Sequence, residues 1–166
     1  KGQGTTFDRV MKGLGYLKKH GTEFNTLTVV QRNNSYHPQE VYSFLKEIGS
    51  GFMQFIPIVE RLADAPDSDG LVLISPTAND SATVADWSVD PQQFGKFLTD
   101  IFDEWVRQDV GRYYVQIFDV ALESWMEMEQ SLCVFRNTCG GALAVEHNGD
   151  LYSCDHFVYP ENKLGN

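Results

Sequence analysis

The residues of this chain best suited to chemistry crowd into its last 34 positions. Cys133, Cys139 and Cys154 all fall there, and Cys154 is followed at once by Asp155 and His156. Thiolates ligate zinc and iron–sulfur centres, a carboxylate can accept a proton, and an imidazole titrates near neutral pH. Thiols used only as small apolar side chains have no reason to gather at one end. Three is an odd number, so a closed set of disulfides would leave one thiol over. Zinc and iron–sulfur sites usually take four ligands, which predicts that one lies outside these 166 residues. The C-x5-C spacing of Cys133 and Cys139 is looser than the C-x2-C of a zinc knuckle, so zinc is the weaker fit. Spacing alone leaves three uses open: a metal or cluster, structural thiols, and redox or disulfide chemistry. Asp155 read alone is a turn or capping residue after a strand, and His156 a packed or solvent-facing histidine. His20, His37 and His147 read as surface residues.

The elements that must position these groups follow from composition and periodicity. With 13 basic and 23 acidic side chains, a net charge of −10 and 42% hydrophobic residues, the chain reads as globular, not as disordered or fibrous. Nothing in that balance draws it to a phosphate backbone, so nucleic acid is set aside as a partner. No apolar run approaches the ~20 residues of a membrane span.

Helix and strand signals alternate, the pattern of a parallel sheet covered by helices. Phe7, Val10, Met11, Leu14 and Leu17 have helical spacing behind Thr5 and Thr6, and Gly21 ends the run. Residues 24–31 are rich in β-branched side chains (Thr26, Thr28, Val29, Val30) with little polar alternation, which predicts a strand buried on both faces. Val41, Phe44, Leu45 and Ile48 form a second helix between Pro38 and Gly49, and residues 52–59 a second buried strand. Residues 60–90 break the rhythm, with turn markers at 66–70 before an apolar run at 71–74, and read as an insertion built around a hairpin.

Asp90-Pro91 opens the clearest helix, striped by Phe94, Phe97, Leu98, Ile101, Phe102, Trp105 and Val106. A third strand at 113–119 and a helix at 120–128 complete an α/β segment with right-handed crossovers, part of an open or barrel-like sheet. Aromatics in these stripes read as core. Residues 142–147 and 150–154 alternate around Asn148-Gly149, the favoured pair for a type I′ hairpin, so a second, small module begins near residue 131. Ligands of parallel sheets bind at the carboxyl ends of strands, here residues 31–33, 58–60 and 118–119. Glu60 and Arg61 stand there, as site residues or as an exposed ion pair.

Cys133-x5-Cys139, the hairpin ending Leu151-Tyr152-Ser153-Cys154, Asp155-His156-Phe157-Val158 and Leu164-Gly165-Asn166 together resemble the start of the SPASM segment of anaerobic sulfatase-maturating enzymes. These are a branch of the radical S-adenosylmethionine (SAM) superfamily. The resemblance continues upstream through Phe24-Asn25-Thr26-Leu27-Thr28-Val29-Val30, Val41-Tyr42, Phe44-Leu45-Lys46, Gln54-Phe55-Ile56 and Phe118-Asp119, and weakens across 60–89. It implies that residues 1–130 are the C-terminal part of a partial (β/α) radical SAM barrel with parallel strands, and residues 131–166 the opening β-hairpin module of SPASM.

The implied activity is oxidation of a Cys or Ser in a sulfatase polypeptide to Cα-formylglycine. One 4Fe–4S cluster cleaves SAM, auxiliary 4Fe–4S clusters sit in SPASM, and a flavodoxin or ferredoxin supplies electrons. By resemblance Cys133, Cys139 and Cys154 ligate the first auxiliary cluster, Asp155 is the base for the substrate thiol or hydroxyl, and Val59 contacts the adenine of SAM. The C-x3-C-x2-C loop of the SAM-cleaving cluster is absent from the sequence, as are the remaining auxiliary ligands. The start at Lys1-Gly2-Gln3-Gly4, without Met or a signal peptide, and the stop at Asn166 predict a piece excised from a longer protein and inactive alone. Oxygen-sensitive clusters and lone thiols predict a reducing cytoplasm. Two other readings stand beside this one: another SPASM peptide maturase that makes cross-links, and a non-enzymatic module that binds a sulfatase.

Overall fold

A computed structural model describes residues 5–62, 83–138 and 141–166. The chain divides into two compact units, Lys1–Asp119 and Val120–Asn166. In the first, helix α1 (Phe7–Lys19) precedes strand β1 (Asn25–Val30), helix α2 (Pro38–Glu47) and strand β2 (Phe52–Pro57). A short pair, β3 (Arg61–Leu62) and β4 (Thr83–Val84), leads to helix α3 (Pro91–Gln108) and strand β5 (Tyr114–Val115). Helix α4 (Gln116–Trp125) follows directly and crosses the boundary between the units.

The three strands expected side by side form one parallel sheet in the order β1-β2-β5. Register runs from Asn25↔Phe52 to Val30↔Pro57, and β5 joins through Phe52↔Tyr114 and Met53↔Val115. One face carries Val30, Met53, Phe55 and Val115 into a core with Tyr42 and Leu45 of α2 and Phe97, Ile101 and Trp105 of α3. Phe55 meets Phe97 edge to face at 5.3 Å. The stripe at 97, 101 and 105 has the spacing that keeps one side of a helix turned inward, and each such side chain contributes about 1.5–3 kcal/mol of burial.

Double burial of the first two strands does not hold. Leu27 and Val29 are 64% and 50% exposed, and on the same face Phe52 and Tyr114 stack on one another, also exposed, at 4.8 Å. Apolar residues occupy both faces, but among the described residues helices cover only one.

The third strand is shorter than expected and the next helix starts earlier, at Gln116. Residues 113–119 are rich in β-formers, and a short apolar run does not separate strand from helix by periodicity. Packing decides it: as part of α4, Phe118 lies 5.2 Å from the Phe102 ring and 5.3 Å from that of Trp105. The insertion opens and closes as an antiparallel pair, Arg61↔Val84 and Leu62↔Thr83. Its expected turn at 66–70 and apolar run at 71–74 lie outside the described residues.

Between α2 and α3 lies a polar clamp. The Lys46 ammonium donates to Glu104 Oε1 at 2.6 Å and Asp109 Oδ2 at 2.9 Å, the Tyr42 hydroxyl donates to the same Asp109 oxygen at 2.9 Å, and the ammonium sits 4.5 Å from the Tyr42 ring centre. Asp90 caps α3 as its sequence suggested, its carboxylate accepting from Gln93 N–H at 3.0 Å ahead of Pro91. Asp90→Ala is expected to lower stability by about 1 kcal/mol, read as a smaller urea midpoint at unchanged slope.

The second unit holds an antiparallel sheet, β6 (Ala144–Val145), β7 (Leu151–Tyr152) and β8 (Lys163–Gly165), in that order. The hairpin at Asn148-Gly149 is present, with a different turn from the one expected. Gly149 takes φ +88° whereas Asn148 stays at negative φ, and a type I′ turn needs positive φ at both. Gly149 N–H donates to the Glu146 carbonyl and Glu146 N–H to the Asp150 carbonyl, each at 2.9 Å. That is a three-residue loop closed by a left-handed glycine. The Asn148 side chain accepts from Asp150 N–H, and Asn166 donates to both the Asn148 carbonyl and the Asp150 carboxylate. These bonds hold the longer loop. No described helix is long and apolar enough to cross a membrane.

Candidate functional site

In the second unit, Cys154 follows β7 in extended backbone and starts a single helical turn, Asp155–Phe157. Its buried sulfur accepts the N–H of His156 at 3.4 Å, and its thiol donates to Asp155 Oδ1 at 3.2 Å. The His156 Nδ1 lies 3.1 Å from the same carboxylate oxygen and 3.6 Å from the sulfur. The ligand atoms of Cys154, Asp155 and His156 thus all lie within 4.8 Å of one another, with the sulfur inside and the other two side chains in solvent. The thiol's hydrogen bond, and then the charge His156 can carry, hold the Asp155 carboxyl below the usual carboxylate range. A carboxylate in that state is ionised at neutral pH.

The sequence reading placed Cys154 and Asp155 together, and the fold does so. Cys133 sits half-buried in another single turn, Cys133–Phe135, and is not one of the trio. Cys139 lies outside the described residues. His156, read from sequence as an ordinary histidine, shares the oxygen of Asp155; its adjacency to that residue was the only signal for this.

In the first unit, Val59 stands just past the end of β2 and is 60% exposed. Glu60 is beside it, and its Oε2 accepts the indole N–H of Trp87 at 2.5 Å. Sequence reasoning passed over Trp87, a single aromatic between Asp86 and Ser88 with no periodic partner.

No family model matches the chain. Over 161 residues it is 48% identical to the serine-type anaerobic sulfatase-maturating enzyme of Bacteroides thetaiotaomicron, a match covering 97% of this chain and 38% of that protein. It is 30% identical to the cysteine-type enzyme of Clostridium perfringens strain 13, over 97% of this chain and 40% of that one. The solved structure described as native anSMEcpe with bound AdoMet superposes with a TM-score of 0.77 at 30% identity, over 97% of this chain and 40% of its own. The chain is a relative of the anaerobic sulfatase-maturating enzymes.

It spans about two fifths of the length of the maturases it matches. The aligned stretch takes in both units. Another neighbour, native anSMEcpe with bound AdoMet and Kp18Cys peptide, matches equally, at a TM-score of 0.77 over 97% of this chain and 41% of its own.

Proposed function

We propose that the chain is part of a radical SAM enzyme that oxidises a cysteine or serine of a sulfatase to Cα-formylglycine. The observation that carries this is the 48% identity, across 97% of the chain, to a sulfatase-maturating enzyme. The superposition on AdoMet-bound and peptide-bound structures supports it. Residues 1–130 then supply the later strands and helices of the SAM barrel and residues 131–166 the opening of SPASM.

Cys133, Cys139 and Cys154 are the thiols that would hold the first auxiliary 4Fe–4S cluster. The donor chemistry fits: Cys154 is buried and Cys133 half-buried, and thiolate sulfur is the usual ligand of such clusters. Bound SAM with its own cluster supplies removal of a hydrogen atom from the substrate Cβ, and the auxiliary cluster an electron acceptor. Asp155 takes the proton of the substrate thiol or hydroxyl. Its oxygen accepts the Cys154 thiol proton in this structure, and ligand thiols are deprotonated, so ligation would leave that acceptor open. Val59 presents an exposed apolar side chain at the carboxyl end of the sheet and would contact adenine. A flavodoxin or ferredoxin supplies the electrons, in a reducing cytoplasm.

The test is to incubate the full-length enzyme, anaerobically and with SAM and a reductant, with two synthetic sulfatase peptides that differ only in Cys or Ser at the modified position. Mass spectrometry should find the aldehyde in one of them and 5′-deoxyadenosine in solution. No aldehyde in either overturns the reading. The sequence holds three cysteines, so the 166-residue chain reconstituted alone should fall short of the roughly four irons per chain of a complete cluster, which iron and sulfide assays would check. A full complement would show that a ligand other than these thiols completes the site.

A further inference from the structure

At the carboxyl edge of the first unit's sheet, a turn is stitched to the strand ends. Arg32 N–H donates to the Trp87 carbonyl at 3.0 Å, Val89 N–H to the Ile58 carbonyl at 3.0 Å, and Ala85 N–H to the Glu60 carbonyl at 2.9 Å. Glu60 N–H closes the set on Ser88 Oγ at 3.0 Å. Ala85, Ser88 and Val89 are all buried, so the turn is anchored, yet Trp87 at its tip is 43% exposed. The one polar atom of that side chain is occupied by Glu60. What remains outward is indole surface beside a carboxylate that, among the described residues, forms no ion pair.

A ring face and an adjacent carboxylate attract the same kind of ligand. The π quadrupole and the negative charge both favour a cation, and desolvation between them strengthens each. Guanidinium suits the pair better than ammonium, because it stacks flat on a ring while its N–H fork reaches a carboxylate. The location is the edge at which parallel sheets present ligands, and a net charge of −10 draws basic segments toward the chain. We propose that Trp87 and Glu60 form a specificity subsite for an arginine side chain of the polypeptide substrate. That the occupant belongs to a substrate polypeptide rests on the maturase reading above.

The test is binding, measured by fluorescence anisotropy on the full-length enzyme. The probes are a fluorescein-labelled synthetic sulfatase peptide and the same peptide with each arginine replaced in turn by citrulline, which keeps the shape and removes the charge. At one position citrulline is expected to weaken binding to the unaltered enzyme about tenfold. In Glu60→Gln and in Trp87→Leu that ratio should shrink, because each variant removes one of the two attractions. The ratio compares two peptides on one protein, so a lower active fraction does not imitate the effect. If no position shows a ratio, or if it survives undiminished in Glu60→Gln, the subsite is wrong. Should either variant fail to fold, the citrulline series on the unaltered enzyme and the other variant decide. Coupled binding without aldehyde formation would sink the maturase reading and leave the subsite standing; aldehyde formation without coupling would sink the subsite alone.

Discussion

Asp155→Asn in the full-length enzyme is expected to cut the yield of formylglycine peptide on the order of 10²-fold or more, while iron content and SAM cleavage without product stay at wild-type levels. Asparagine keeps the size of the side chain, so the local turn should survive. What it cannot do is take a proton. The native carboxylate is placed to take one, because it is exposed on one side and touches the sulfur of a proposed cluster ligand on the other. Mass spectrometry of a sulfatase peptide gives the yield and a 5′-deoxyadenosine assay the uncoupled reaction. Near wild-type yield would remove Asp155 from the chemistry. Loss of iron together with yield would make its role structural.

Lys46→Met is expected to destabilise the first unit by about 3 kcal/mol. The Asp109 side chain is 5% exposed and would keep only the Tyr42 hydroxyl as a partner, leaving a buried charge short of its cation. The value stays at the low end for broken buried pairs because Lys46 and Glu104 retain 21% and 27% exposure. Urea unfolding followed by tryptophan fluorescence measures it. Adding Asp109→Asn should restore much of the loss, since the amide removes the uncompensated charge and keeps an acceptor for the Tyr42 hydroxyl; a single variant as stable as wild type would mean that the clamp is not coupled to folding.

The pH dependence has a definite sign. Burial opposes the Lys46 charge, but the hydrogen bonds it donates to Glu104 and Asp109, with their negative charges, together outweigh it and raise its pKa. A raised pKa stabilises below the unfolded-chain value and loses that contribution as pH rises through the folded one. The contribution of the Lys46 charge is therefore present in full at neutral pH and is lost in strongly alkaline solution.

What the sequence made legible was what local rules govern. Helices bounded by Asp90-Pro91, Pro38 and Gly49 could be read because caps and fixed φ angles act on their own segment. The parallel order of three strands followed from the alternation of strands with helices. Burial was misread because it depends on what lies opposite: nothing in Leu27 or Val29 says whether a helix covers that face. Residues 116–119 were read as strand because β-branched and aromatic residues serve either state, and the rings of Phe102 and Trp105 decided between them. At the site, the pairing of Cys154 with Asp155 is adjacent in sequence and was visible. The hydrogen bond between Glu60 and Trp87 spans 27 positions and was not.

The uncovered sheet face also governs how these 166 residues, taken by themselves, behave as a colloid. Leu27, Val29, Phe52 and Tyr114 offer two molecules a mutually attractive surface, and the described residues leave the outer edge of β1 unpaired beside it. What keeps such surfaces apart is mutual repulsion from a charge of −10, which acts over a screening length of ~10 Å at 0.1 M salt and about 3 Å at 1 M. Dilute buffer well above the pI of about 4.7 preserves that repulsion, whereas high salt or mild acid removes it and lets apolar faces meet.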